Sequence, residues 1–426
     1  MTAPLSGLKI LDFSTLLPGP CATMMLADMG AEVLRVESPS RIDLLRVVPP
    51  MIGKVSAGHA YLNRSKRSVA LDLKNPEARE VIASLIKDYD IVVEQFRPGV
   101  MDKLGFGYEQ LKQMNPGVIY CSITGYGQSG PYKNRAGHDI NYLALAGISS
   151  YSGRRNSGPP ALGVQMADVA GGSHHAVMGI LAAVIQRMNS GHGTHLDVSM
   201  CDAAFTMNHM AMAAHLATGK DPEPEDSPLN GAGGYDYFET ADGRYVSVGA
   251  LEPQFVKMLC QKLEIDDLSS LMLSQNPQHC LAVKSALKEA FRQQPLVHWE
   301  QVFADVDACV EPVLTLSESM RHPHFEERGM ICEVMDCDGN PHAQLASPIR
   351  FSGVRYSPLH TGAELGEHTR QVLRECGYTE EKIASMNANG VFGKNTQITL
   401  ILVGKTVPAT SPGTVGFSSS LIFHRV

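Results

Sequence analysis

"LKILDFSTLLPGPCATMMLADMGAEVLRVE", residues 8–37, decides how this chain reads. "LKILDFS" (8–14) is a short apolar run of the length of a buried strand. In "CATMMLADMG" (21–30), Met24, Met25, Leu26 and Met29 fit a helix that closes on Gly30. "AEVLRVE" (31–37) is a second strand. Strand, helix of roughly ten residues and strand again make the βαβ unit of a parallel sheet. The pattern recurs in "EAREVIASLIKDY" (77–89) as helix, then "DIVVEQF" (90–96) and "GVIYCSITG" (117–125) as strands. The N-terminal half is therefore α/β. Its first turn, "STLLPGPCATMM", has prolines on both sides of a single glycine. A dinucleotide site needs glycines where the backbone meets the pyrophosphate, so a nicotinamide cofactor is not expected.

At 426 residues the chain suits two domains. "DVAGGSHHAVMGILAAVIQRMNSGHG" (168–193) predicts a long helix with a glycine-rich stop, and "CDAAFTMNHMAMAAHLATG" (201–219) a second. Proline, acid and glycine then dominate 219–238, which marks a linker. "GRYVSVGA" (243–250) reads as a strand and 253–310 as mostly helical, a smaller domain. "CDGNPHAQLASPIRFSG" (337–353) is a turn with an extended return, and 367–390 a final helical unit. The expected division is a large domain over 1–220, a small one over 221–330, a return to the large domain over 331–393, and a tail over 394–426. That tail has no acidic residue and is rich in Ser, Thr, Gly and Val, so it is expected to be poorly ordered.

The net charge of −8 argues against non-specific nucleic-acid binding. Nine scattered cysteines without CxxC or zinc spacing point to reduced thiols. The opening "MTAPLSGLKILDFS" lacks the basic region and apolar core of a secretory signal. No apolar run approaches the roughly 20 residues that span a bilayer. A cytoplasmic protein without membrane contact is the expectation. No metal is assigned: "HH" at 174–175 projects from different helix faces, and "RHPHFEERG" (321–329) lacks further ligands.

Three residues invite a chemical reading. Asp168 opens the predicted long helix. It is either an ordinary N-cap or an acid poised beside N–H groups that stabilise a developing anion. His138 follows a glycine-rich loop after a predicted strand, where sites of open α/β sheets gather, and imidazole titrates near neutrality. A structural histidine fits equally. Glu252, in "SVGALEPQF", follows another predicted strand and locally reads as a surface carboxylate opening a helix. Asp139 reads as a turn or capping residue. The basic residues of "NRSKRSVALDLK" (63–74) and "EQFRPGVMDKLG" (94–105) suit solvated surface charge or a phosphate pocket.

Together these segments resemble the CaiB/BaiF family, the class III CoA-transferases, and within it the α-methylacyl-CoA racemase branch. The resemblance runs to about residue 390 and includes "ITGYGQSGPYKNRAGHDINY", "ADGRYVSVGALEPQF" and "DACVEPVL". It implies a Rossmann-like large domain with a parallel sheet, a smaller α/β domain, and an interlocked homodimer. It implies His138 and Asp168 as two catalytic bases, with Glu252 orienting the histidine. The activity implied is interconversion of (R)- and (S)-2-methylacyl-CoA thioesters by 1,1-proton transfer through an enolate. The transferase branch instead uses the aspartate as a nucleophile in moving CoA to a free carboxylate, and a non-catalytic CoA-binding protein is a third alternative. "GHDINY" is the racemase pattern, and Leu17 stands where transferases tend to carry a polar residue. For the CoA portion the resemblance implicates Leu71, Asp72, Leu73 and Lys74, then Gln95, Phe96, Arg97 and Lys103. It adds the backbone of Gly137, Asp139, Ile140, Asn141 and Tyr142. Ser38 replaces a racemase arginine, with Arg35 or Arg41 as substitutes. No cofactor is implied beyond the CoA carried by the substrate.

Overall fold

A computed structural model describes residues 3–353 and 357–393, so the tail expected over 394–426 lies outside them. The stretch that opened the reading forms β1 (Lys9–Asp12), α1 (Pro18–Asp28) and β2 (Glu32–Glu37). With β3 (Lys66–Ala70), β4 (Ile91–Glu94), β5 (Ile119–Thr124) and β6 (His195–Ser199) they build a six-stranded sheet ordered β3-β2-β1-β4-β5-β6. Every pairing is parallel, from Val33 on Lys66 at one end to Thr124 on Ser199 at the other. Strands buried on both faces read as unbroken apolar runs, which is why they were visible in sequence. One face packs Ile10, Ile119, Cys121 and Ile123 under α1 and the long helix. The other packs Leu11, Val92 and Tyr120 under α2 (Pro76–Leu85) and C-terminal residues such as Leu373 and Met386.

Connections diverge between β1 and β4, the switch point where ligands of open sheets bind. There α1 presents no free donor. Pro18 and Pro20 lack N–H groups, the Gly19 N–H goes to Gln95 Oε1 at 2.9 Å, and the Cys21 N–H to the Leu17 carbonyl. An anion cannot be held by this helix end as it is in dinucleotide folds.

The loop after β5 enters α3 (Asp139–Leu145). The long helix, α4, runs from Ala167 to Ser190, and its first eight residues are π-helical. Asp168 is therefore in the first turn, not the N-cap the sequence suggested. Gly171 and Gly172 let this wide start press on its neighbours. A Cβ at Gly171 would lie 3.1 Å from the Met200 carbonyl oxygen, and one at Gly172 3.0 Å from Pro18. By length and composition α4 could cross a bilayer, contrary to the sequence expectation. Here Ala176, Val177, Ile180 and Ala183 pack it onto the sheet. The predicted helix at 201–219 is split into α5 (Met200–Thr206) and α6 (His209–Thr218).

A second core surrounds a three-stranded antiparallel sheet of β7 (Asp236–Glu239), β8 (Tyr245–Val248) and β9 (Val310–Pro312). Helices α7 (Pro253–Leu263), α8 (Pro277–Phe291) and α9 (Leu296–Phe303) cover it through Leu259, Phe291 and Trp299. Arg154 reaches Asp236 with two bonds of 2.6 Å and so ties the segment after α3 to β7. The chain then returns to the large sheet. Ser65 donates to the His360 carbonyl, and His368 to that of Ser68, along the β3 edge.

Candidate active site

His138 stands at the N-cap position of α3, at the carboxyl end of β5. Its own N–H donates to Asn141 Oδ1 at 3.0 Å, and its carbonyl accepts from the Asn141 N–H at 2.8 Å. The imidazole is left exposed. Behind it, the Tyr142 hydroxyl donates to the Gly137 carbonyl at 2.5 Å. A Cβ at Gly125 would lie 2.6 Å from that hydroxyl, so glycine is what lets the loop close over the ring. Tyr142 and Asn141 are thus loop locks.

Asp139 makes the link that the sequence did not reveal. Its Oδ1 accepts the N–H of Ala167 at 2.6 Å and of Asp168 at 3.1 Å. One carboxylate therefore caps a helix 28 residues downstream and fixes the histidine entry to the Asp168 turn. This corrects the expectation that the α4 start offers free donors to an enolate: two of them are taken. Asp168 itself is half-buried. Burial first, and then the Asp139 charge, push its carboxyl up to about 6, while His138 acts in the opposite direction. His138 and Asp168 thus lie within one local field.

Glu252 holds the N-cap position of α7 in the second body, exposed, in the field of Cys309. Among the described residues no hydrogen bond joins it to His138.

The residues implicated for CoA fall at the carboxyl ends of the strands. Leu71 is fully buried in the core, so only its backbone can meet a ligand. Asp72 turns the chain by accepting the Lys74 N–H at 3.1 Å, and Leu73 packs partly against the same core. Gln95, Phe96 and Arg97 follow β4 at the switch point. Lys74, Arg97, Lys103 and Ile140 are exposed. The cations of "NRSKRS" (63–68), which suited solvated surface charge or a phosphate pocket, are instead drawn into ion pairs. Arg64 is paired with Asp28, Lys66 with Asp12, and Arg67 with Glu32 and Glu375. Arg35 cannot replace the missing arginine either. It is 1% exposed and gripped by Glu37 and Asp43. Arg41 is exposed, its N–H donating to Ser38 Oγ at 3.1 Å, so the serine forms the turn that presents it. Among the described residues there is no cluster suited to a metal. His175 Nδ1 meets the Ala170 carbonyl at 2.7 Å.

With this geometry in place, comparison with known proteins is informative. A family model described as CoA-transferase family III matches residues 5–369. The α-methylacyl-CoA racemase of Homo sapiens is 36% identical over 398 residues, 92% of this chain and 98% of the relative. The succinyl-CoA:glutarate CoA-transferase of Homo sapiens is 31% identical over 402 residues, 92% of this chain and 90% of the relative. Among solved structures, a CAIB/BAIF family protein from Brucella suis matches with a TM-score of 0.76 at 30% identity. It covers 88% of this chain and 100% of that one.

Proposed function

Because the chain belongs to CoA-transferase family III, we propose that it is the racemase kind of enzyme within that family, acting on 2-methylacyl-CoA thioesters. One observation carries this reading: a histidine and a carboxyl group pushed up to about 6 are held together by the Asp139 bridge. An imidazole and a carboxyl group of raised proton affinity, held as a pair, are the acid and base that a 1,1-proton transfer requires. His138 removes the α-proton from one face of the α-carbon and Asp168 returns one to the other, and the roles reverse for the opposite epimer. The enolate oxygen needs donors, and those at the α4 start are occupied. The backbone N–H groups of Asp139 and Ile140, which make no intrachain bond among the described residues, are the ones left beside His138. Lys74, Arg97, Lys103 and Arg41 are the cations free to meet the CoA phosphates. No cofactor is needed beyond CoA itself.

Glu252 fits an orienting role only if the second body closes or a second copy of the chain brings the residue in. Apolar side chains exposed along α4, α5 and α6 favour the second copy. Met188 is 81% exposed, Met210 76% and Leu216 77%, with Ile185 and Phe205 beside them. We therefore read the enzyme as a homodimer. The nine free thiols suit a reducing, cytoplasmic setting.

A second reading is CoA transfer to a free carboxylate through an acyl adduct on Asp168, favoured by transferases of comparable identity. Chiral analysis of a single 2-methylacyl-CoA epimer incubated with the enzyme separates the two. Appearance of the other epimer without any acceptor supports racemisation. A hydroxylamine-trapped Asp168 adduct, with an unchanged epimer, supports transfer.

A further inference from the structure

The five buried carboxylates of the described residues differ in one respect. Asp12, Asp28, Glu37 and Asp43 each face a lysine or arginine. Glu94, 4% exposed at the end of β4, has no cation. A buried carboxyl without a counter-ion is costly and calls for a function. Its surroundings are specific. Glu94 Oε2 accepts the Phe96 N–H at 2.8 Å and so holds the turn that carries Gln95, Phe96 and Arg97. The same turn is pinned to α1 by Gln95. Ser122, on the neighbouring strand β5, partly offsets the effect of burial on Glu94, and its Oγ lies 3.0 Å from His195 Nε2 on the edge strand β6. His195 stacks on Tyr108 and meets Tyr120 edge-on, and the buried Tyr120 hydroxyl has no hydrogen-bond partner among the described residues.

We infer that Glu94 is a positioning residue for acyl-CoA binding, holding the 95–97 turn through the Phe96 N–H. The inference rests on the proposal that this turn meets CoA. Ionisation of Glu94 releases one proton to solvent and leaves Oε2 accepting the Phe96 N–H as a carboxylate. Burial, reinforced by Asp102 on the following helix, places the Glu94 carboxyl at about 7, within the range where this ionisation matters. The titratable groups that feel its charge in turn are Tyr120 and Cys121 on β5. An ionised acceptor grips an N–H about twice as strongly as a neutral one.

The test is titration calorimetry with coenzyme A at pH 6 and pH 8 on the wild type, Glu94→Gln and Glu94→Leu, with the turnover rate at saturating thioester measured alongside. The wild type is expected to bind about fourfold more tightly at pH 8 than at pH 6. Glu94→Gln keeps an acceptor but no charge, so it should lose the part of the pH dependence that Glu94 supplies and keep only the smaller change that comes from ionisation of the coenzyme A phosphate. Glu94→Leu should bind about tenfold more weakly throughout, with saturated turnover unchanged. A Gln variant that keeps the wild-type pH dependence, or a Leu variant that binds normally, overturns the inference. So does equal loss of turnover and affinity. If the Leu variant fails to fold, the Gln comparison decides alone. A wild type that binds no coenzyme A at either pH overturns the functional proposal and this inference with it.

Discussion

At the residue scale the account turns on Asp139, which reads in sequence as a local capping residue and proves to cap a distant helix. Its carboxylate both places Asp168 and raises that residue's proton affinity. Asp139→Asn keeps an acceptor for the two N–H groups and removes the charge. With less repulsion Asp168 ionises more readily, so its folded-state value falls. In the direction where Asp168 is the base, kcat/KM rises with pH through about 6 in the wild type. In the variant that limb is expected about one unit lower, with thermal stability little changed. A pH–rate profile checks this, and an unmoved limb would count against the bridge. The partners of His138 could be read in part: "HDIN" places a side-chain acceptor three residues after the N-cap, a recognisable capping arrangement. The Asp139 grip could not, because nothing local links residues 139 and 167. The basic run at 63–67 misled for a related reason. Its charges look solvated until Asp12, Asp28 and Glu32 arrive from elsewhere in the chain.

At the element scale, β4 and α4 make the clearest predictions. Glu94 is raised from 4.5 to about 7 by burial. Between those values the folded chain keeps a proton that the unfolded chain has lost, so stability falls as pH rises across that window and is flat above it. Glu94→Gln cannot ionise and should be more stable than the wild type at pH 8, by about 3 kcal/mol. The difference should vanish near pH 4, and denaturant melts at both pH values measure it. In α4, Gly171→Ala puts a Cβ 3.1 Å from a backbone oxygen of α5, which only a helix shift relieves. A loss of about 1–3 kcal/mol is expected, read from the same melts. The strands and most helices were legible because burial on both sheet faces writes unbroken apolar runs into the sequence. The order of the strands was not, since Ile10 pairs with Ile91 across a span that carries no local signal. The π-helical start of α4 was likewise hidden. "DVAGG" looks like a cap followed by flexible residues, and the glycines are instead set by contacts with Pro18 and Met200.

At the scale of the whole molecule, two features stay unmatched within one chain. Glu252 lies on the second body with no hydrogen bond to His138 among the described residues, and the helices around the site expose apolar side chains. Both point to a partner copy. Sedimentation equilibrium should give twice 46.1 kDa, and a monomer at micromolar concentration would remove that explanation for Glu252. The rest of the account depends on whether the His138–Asp168 pair moves a proton at carbon. The most direct measurement is deuterium uptake from D₂O at the α-carbon of a 2-methylacyl-CoA, with no carboxylate acceptor present. The account predicts uptake by the wild type, reduced about a hundredfold or more in a folded His138→Ala variant. No uptake by the wild type, with CoA passing instead to an added carboxylate, would contradict it.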